Sequence, residues 1–221
     1  MLNQRLRKRL IVTLVLLFLS IILAVFAYLT PYFPGDIRVA QLIQRLNSPS
    51  LTSFMIFVSA GFTGIPSILL AIALVLIIWW RLGLVAAIFM AADGVLSPAA
   101  NLFKFIIERP RPPDSLVNIL VPVAGLSFPS GHAFFATMIL GMPIYFVLKY
   151  VSSRPLKVSL VSFLVIVILL VGYSRVYLGD HWPSDVIGSY FIGSTLVLLL
   201  TMFYEQRIAS KPDAGRRPEH S

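Results

Sequence analysis

The sequence predicts an all-α protein: a six-span transmembrane helical bundle with both termini in the cytoplasm. Three observations predict it. Of the 221 residues, 58% are hydrophobic and 12% charged, against about 25% charged in a soluble domain, so part of the solvent must be lipid. Lysine, arginine, aspartate and glutamate are absent from Leu10–Gly35, Leu46–Trp80, Ser115–Leu148, Val158–Ser174 and Val186–Tyr204; a membrane-crossing helix needs about 20 mostly apolar residues. With the N-terminus placed inside, lysine and arginine divide twelve to the inner side and six to the outer side, as the positive-inside rule requires. The formal charge of +9 therefore reads as topology rather than as a nucleic-acid surface.

The first span, 10–30, follows the basic segment MLNQRLRKRL. No A-x-A cleavage site follows, and the apolar run exceeds a signal peptide's h-region of about 7–15 residues. It reads as a retained anchor, with residues 1–9 a basic cytoplasmic N-terminus. In DIRVAQLIQRL, from Asp36 to Leu46, apolar residues recur every three or four positions, which predicts a short helix lying at the interface. The next apolar stretch, 51–80, is too long for one span; GFTGIPS at 61–67 breaks it and leaves 66–80 as its main inner part. Further spans are predicted at 83–108, 131–150, 157–176 and 184–204. The membrane domain thus covers 10–206, and the polar tail 207–221 is predicted to be disordered. With no cysteine, there is no disulfide and no thiolate nucleophile or ligand.

This topology brings three segments distant in sequence to the outer face at one depth. In SFPSGH, 127–132, Ser130 stands where an N-cap belongs and an apolar helix follows. Free N–H groups and the dipole of such a helix start attract anions, Gly131 admits a close approach, and His132 stands in the first turn. In KFIIERPRP, 104–112, Lys104 is followed by arginines held stiffly between prolines. In SRVYLGDHWPSD, 174–185, Pro183 and Asp185 suit a helix start. Asp185 can fold back onto one ring nitrogen of His181 and fix its tautomer, leaving the other nitrogen free to attack. Arg175, at the end of the preceding helix, can present a two-pronged guanidinium to the same spot. Two histidines, three cations, a helix N-terminus and an orienting carboxylate suit phosphoryl transfer.

Lys104-x6-Arg111-Pro112, Pro129-Ser130-Gly131-His132 and Ser174-Arg175-x5-His181-x3-Asp185 resemble the three signature motifs of the type 2 phosphatidic acid phosphatase superfamily, complete and in order. The resemblance covers 104–185 directly. It implies His181 as nucleophile, Asp185 as its partner and His132 as general acid. Lys104, Arg111, Ser130, Gly131 and Arg175 would hold the substrate phosphate. It also implies a reaction without metal or cofactor, and the apolar spans point to the membrane lipid phosphatase branch rather than to the soluble haloperoxidases. Arg109 and Asp180 fall outside the motif positions and are expected to be neighbours of the site.

Asp93 falls inside the third span, about 16 Å along a helix from Lys104, too deep for the phosphate site; a carboxylate there should meet a polar partner or a cavity. The expectation is a multi-pass membrane enzyme with its site at the outer face, hydrolysing a lipid phosphate such as phosphatidylglycerol phosphate, phosphatidic acid or undecaprenyl pyrophosphate through a phosphohistidine. A lipid phosphotransferase using the same residues, or a non-enzymatic lipid carrier, are the alternatives. Oligomeric state is left open.

Overall fold

The computed structural model describes residues 4–209, and all regular structure among them is helical. Among the described residues nine helices run α1 Gln4–Leu29, α2 Asp36–Gln44, α3 Pro49–Ala60, α4 Gly64–Leu82, α5 Leu84–Leu96, α6 Ala99–Ile107, α7 Gly131–Tyr150, α8 Arg154–Tyr177 and α9 Pro183–Ala209. Six segments of the described residues are long and apolar enough to cross a membrane: Leu6–Leu29, Gly64–Leu82, Leu84–Ile107, Gly131–Tyr150, Arg154–Tyr177 and Pro183–Ala209. The protein is thus a multi-pass all-α membrane bundle.

The ends of these elements follow from local chemistry. Ser48 caps α3, its hydroxyl accepting from the Leu51 N–H at 3.3 Å, with Pro49 in the first turn. The chain then breaks at Gly61–Thr63 before α4 begins, so the long apolar stretch does divide. Gly83, at φ 82°, ends α4 and starts α5 directly. The third span, expected as one helix, is two. Pro98 has no N–H to continue the ladder, and the chain restarts as α6 with Asn101 donating to the Pro98 carbonyl at 2.9 Å. Pro143 lies within α7 without ending it.

The central helix is α7, which packs on α8 and α9, while α1 lies on α9 and α4 on α5. Phe134, Met138, Ile139 and Met142 of α7 are fully buried, together with Phe128 and Met90. In lipid, helices gain little from the hydrophobic effect by pairing; close packing of small residues takes its place. A Cβ at Gly193 of α9 would stand 2.9 Å from the Thr137 methyl of α7, and one at Gly172 of α8 only 1.9 Å from the Tyr190 hydroxyl of α9. Phe18, Leu69, Trp80, Phe105 and Phe163 face outward, as lipid contact requires.

The basic N-terminal stretch is helical from Gln4, and α9 runs to Ala209, three residues past the expected boundary. Arg9 pairs with Glu205 and donates to Thr201 at 2.6 Å, tying the two helix ends together. The rest of the polar tail, 210–221, lies outside the described residues. Asp93 is wholly buried, and neither carboxylate oxygen has a hydrogen-bond partner. The expected polar partner is absent among the described residues.

Candidate active site

The three predicted segments converge at one end of the bundle, at the start of α7. Gly179, at φ 82°, turns the chain after α8; a Cβ there would come 2.3 Å from the Asn118 carbonyl oxygen. The turn delivers Asp180 and His181 to the interior, 2% exposed each. Pro183 then opens α9 and places Asp185 in its first turn.

Asp185 is fully buried and fixed from three sides. One carboxylate oxygen accepts from the Trp182 N–H at 2.9 Å and the Ser127 hydroxyl at 2.5 Å; the other accepts from Arg109 at 2.5 Å. His181 Nδ1 lies 3.6 Å from the first of these oxygens and 3.4 Å from the Ser127 hydroxyl. Nε2, on the far side of the ring, lies 3.4 Å from the Arg111 guanidinium. These partners assign the Nδ1–H tautomer and leave the Nε2 lone pair facing the cations. Burial pushes the His181 pKa down to about 3, with Arg111 and Arg175 adding to the effect and Asp185 opposing it. The contact with Asp185 is therefore neutral imidazole to carboxylate.

Around Nε2 stand the other predicted groups. Lys104, in the last turn of α6, brings its ammonium within 4.0 Å of where a Gly131 Cβ would be, next to the start of α7. Arg111 anchors itself on the carbonyls of Asp180 at 2.7 Å and Gly125 at 3.2 Å. His132 lies within electrostatic range of Lys104, Arg111, Arg175 and His181. Ser130 stands at the N-cap of α7, but its hydroxyl makes no cap bond: it is buried and has no partner. The α7 N-terminus thus keeps both its free N–H groups and a free hydroxyl.

Arg175 departs from the expected geometry. Its two terminal nitrogens are taken by Asp180 and by Ser59 of α3, and its Nε is buried without a partner. Burial explains this, since a guanidinium at 4% exposure needs a counter-ion, and Asp180 supplies it. Arg109 is directed away from the cation cluster, onto Asp36, Ser184 and Asp185. Asp36 and Ser127 were not singled out in the sequence. Ser127 carried a signal, standing three residues before Ser130 in the same loop; Asp36 carried none.

A cavity of about 700 Å³ opens beside the site. Its walls are mostly apolar and come from α4, α5, α6 and α7, with Gly131 and His132 at one end. Among the described residues no three His, Asp or Glu side chains lie close enough to share a metal ion.

An imidazole held by a carboxylate, a cluster of cations and a helix N-terminus meet at the end of a membrane bundle. The family model of the PAP2 superfamily matches residues 79–209, well over half the chain, and the protein belongs to that superfamily. The chain is 33% identical over 125 residues to phosphatidylglycerophosphatase B of Bacillus subtilis, covering 56% of this chain and 59% of the relative, less than two thirds of its length. It is 25% identical over 174 residues to the undecaprenyl-diphosphatase of Sulfolobus acidocaldarius, covering 74% and 76%. Among solved structures it is similar to a transmembrane PAP2-type phosphatidylglycerolphosphate phosphatase from Bacillus subtilis, with a TM-score of 0.72 and 25% identity over 88% of this chain and 96% of that one. The protein is a membrane member of a lipid phosphatase family.

Proposed function

We propose that the protein hydrolyses the phosphate monoester or diphosphate of a membrane lipid through a phosphohistidine on His181. The observation that supports this best is the orientation of the imidazole: Nδ1 against Asp185 and Ser127, Nε2 beside Arg111. Nε2 attacks phosphorus, forming the N–P bond as the bond to the leaving oxygen breaks. His132 gives its proton to that oxygen, then takes one from the water that cleaves the N–P bond. Lys104, Arg111, the free Nε of Arg175, the Ser130 hydroxyl and the Gly131 end of α7 hold the phosphoryl oxygens.

The lipid's chain lies in the apolar cavity beside His132, with its head group at the outer face. Support for that face comes from the far end of the bundle, where Arg9, Arg81, Lys149 and Arg154 gather as cytoplasmic cations should. In this reading the fixed cations supply the positive charge that phosphoryl transfer needs, without a metal or cofactor. Phosphatidylglycerol phosphate and undecaprenyl pyrophosphate are favoured as substrates by the two curated relatives, with phosphatidic acid a third.

The test is phosphate release from these three lipids in mixed micelles containing excess chelator. Wild type should release phosphate from at least one, and a quench with labelled substrate should trap an acid-labile phosphoenzyme. His181→Ala should fall to the no-enzyme background and trap nothing. Turnover by His181→Ala within about tenfold of wild type would overturn the nucleophile. Loss of activity to chelator, restored by magnesium, would overturn the metal-free reading. Label passing to an added lipid alcohol instead of water would make the protein a phosphotransferase.

A further inference from the structure

We infer that Arg109 and Asp36 are positioning residues for the nucleophile: Arg109 sets the Asp185 carboxylate that holds His181, and Asp36 sets Arg109. This rests on the reading of His181 given above. Arg109 stands between Lys104 and Arg111 and would pass for a third phosphate ligand, but its bonds say otherwise. Its side chain is inaccessible to solvent. Nε donates to the Pro31 carbonyl at 3.2 Å, Nη1 to Asp185 at 2.5 Å and to the Ser184 hydroxyl at 2.9 Å, and Nη2 to Asp36 at 3.0 Å. The Phe33 ring covers its face at 4.8 Å. Four of the five N–H donors of a guanidinium are thus spent on protein, and none of those bonds points to the phosphate.

Asp36, the first residue of α2, is the second half of the device. One of its oxygens accepts from Phe33 N–H at 2.7 Å, the Ser184 hydroxyl at 2.6 Å and Arg109. The other accepts from the Ser184 N–H at 2.9 Å. That N–H is in the first turn of α9, where helices lack internal partners, so a residue 148 positions away in sequence caps the helix that carries Asp185. Arg109 and Asp36 together therefore fix both the rotation of the Asp185 carboxylate and the position of its helix. A misplacement of about 1 Å in a reacting group can cost about a hundredfold in rate.

The test compares Arg109→Gln, Arg109→Lys, Asp36→Asn and the double variant Asp36→Asn/Arg109→Gln in the full chain. Dioctanoyl phosphatidic acid in micelles is the probe. Arg109→Gln should lower kcat about a hundredfold while KM stays within about threefold, because Arg109 does not touch substrate. Arg109→Lys should recover about tenfold of that loss through one retained charged bond to Asp185. Asp36→Asn should lower kcat about tenfold, and add little once Arg109 is replaced, since both act through the same carboxylate. Three results overturn the inference: kcat within threefold of wild type, a loss expressed mainly in KM, or effects of the two sites that multiply in full. If Arg109→Gln does not yield monodisperse protein, Arg109→Lys and Asp36→Asn carry the same measurement, and an unchanged kcat in both overturns it. His181→Ala, run in parallel, separates the two claims: if it turns over like wild type, the nucleophile reading fails first, whatever Arg109 does.

Discussion

At the scale of single residues, the site depends on keeping an imidazole neutral in a nest of cations. His181 has its pKa pushed down to about 3 by burial, whereas an unfolded histidine titrates near 6.5. Between those values the unfolded chain binds a proton that the folded one refuses. The stability linked to this imidazole is therefore fully present above pH 6.5 and is lost as pH falls toward 3. Thermal unfolding in detergent should show Tm falling between pH 7 and pH 5, with a shallower fall in His181→Gln. In ¹⁵N-histidine spectra, His181 should stay neutral at pH 5; an imidazolium signal there would mean that water reaches the ring. Sequence alone could place His181 next to Asp185, since they stand four positions apart across a helix start. It could not show that Arg175 would be neutralised by Asp180, because that pairing depends on how deeply the turn at Gly179 is buried.

Among elements, the turn between α8 and α9 sets the register of the site. Gly179 combines a positive φ with a backbone oxygen 2.3 Å from where a Cβ would stand. The left-handed conformation alone costs an L-residue about 1–2 kcal/mol, and the clash is with main chain that cannot rotate away. Gly179→Ala should therefore lose more than about 2 kcal/mol of stability and most of its phosphate release, since Asp180 and His181 move with the turn. Wild-type activity in that variant would show the turn to be adaptable. The spans were legible because charge-free runs of this length have one reading in a membrane. The break at Ser97–Pro98 was not read, although Pro98 was visible, because apolarity continues across it. The α2 helix was found by its periodicity, yet its role was hidden: Asp36 looks like any acidic residue at a helix start until the fold sets it against Arg109.

At the scale of the whole molecule, the direction of the bundle decides which pool of lipid the site can reach. The chain contains no cysteine, so single-cysteine variants report topology without background. Ser115→Cys lies in the loop beside the site and Ser152→Cys between α7 and α8 at the opposite end. In intact cells an impermeant maleimide should label the first and spare the second. The reverse pattern would put the active site at the inner face. Composition and the three motifs were enough to read the fold class and where the motif residues gather, because both are encoded by residue type and spacing. The support beneath the site was not legible, since it joins residues whose separation along the chain carries no pattern. Asp36 precedes the segment 79–209 that the family model matches, yet it caps the helix bearing Asp185. In this chain the matched segment therefore leans on a residue outside it. Cutting the chain ahead of residue 79 would keep every signature residue and still remove the anchor of α9.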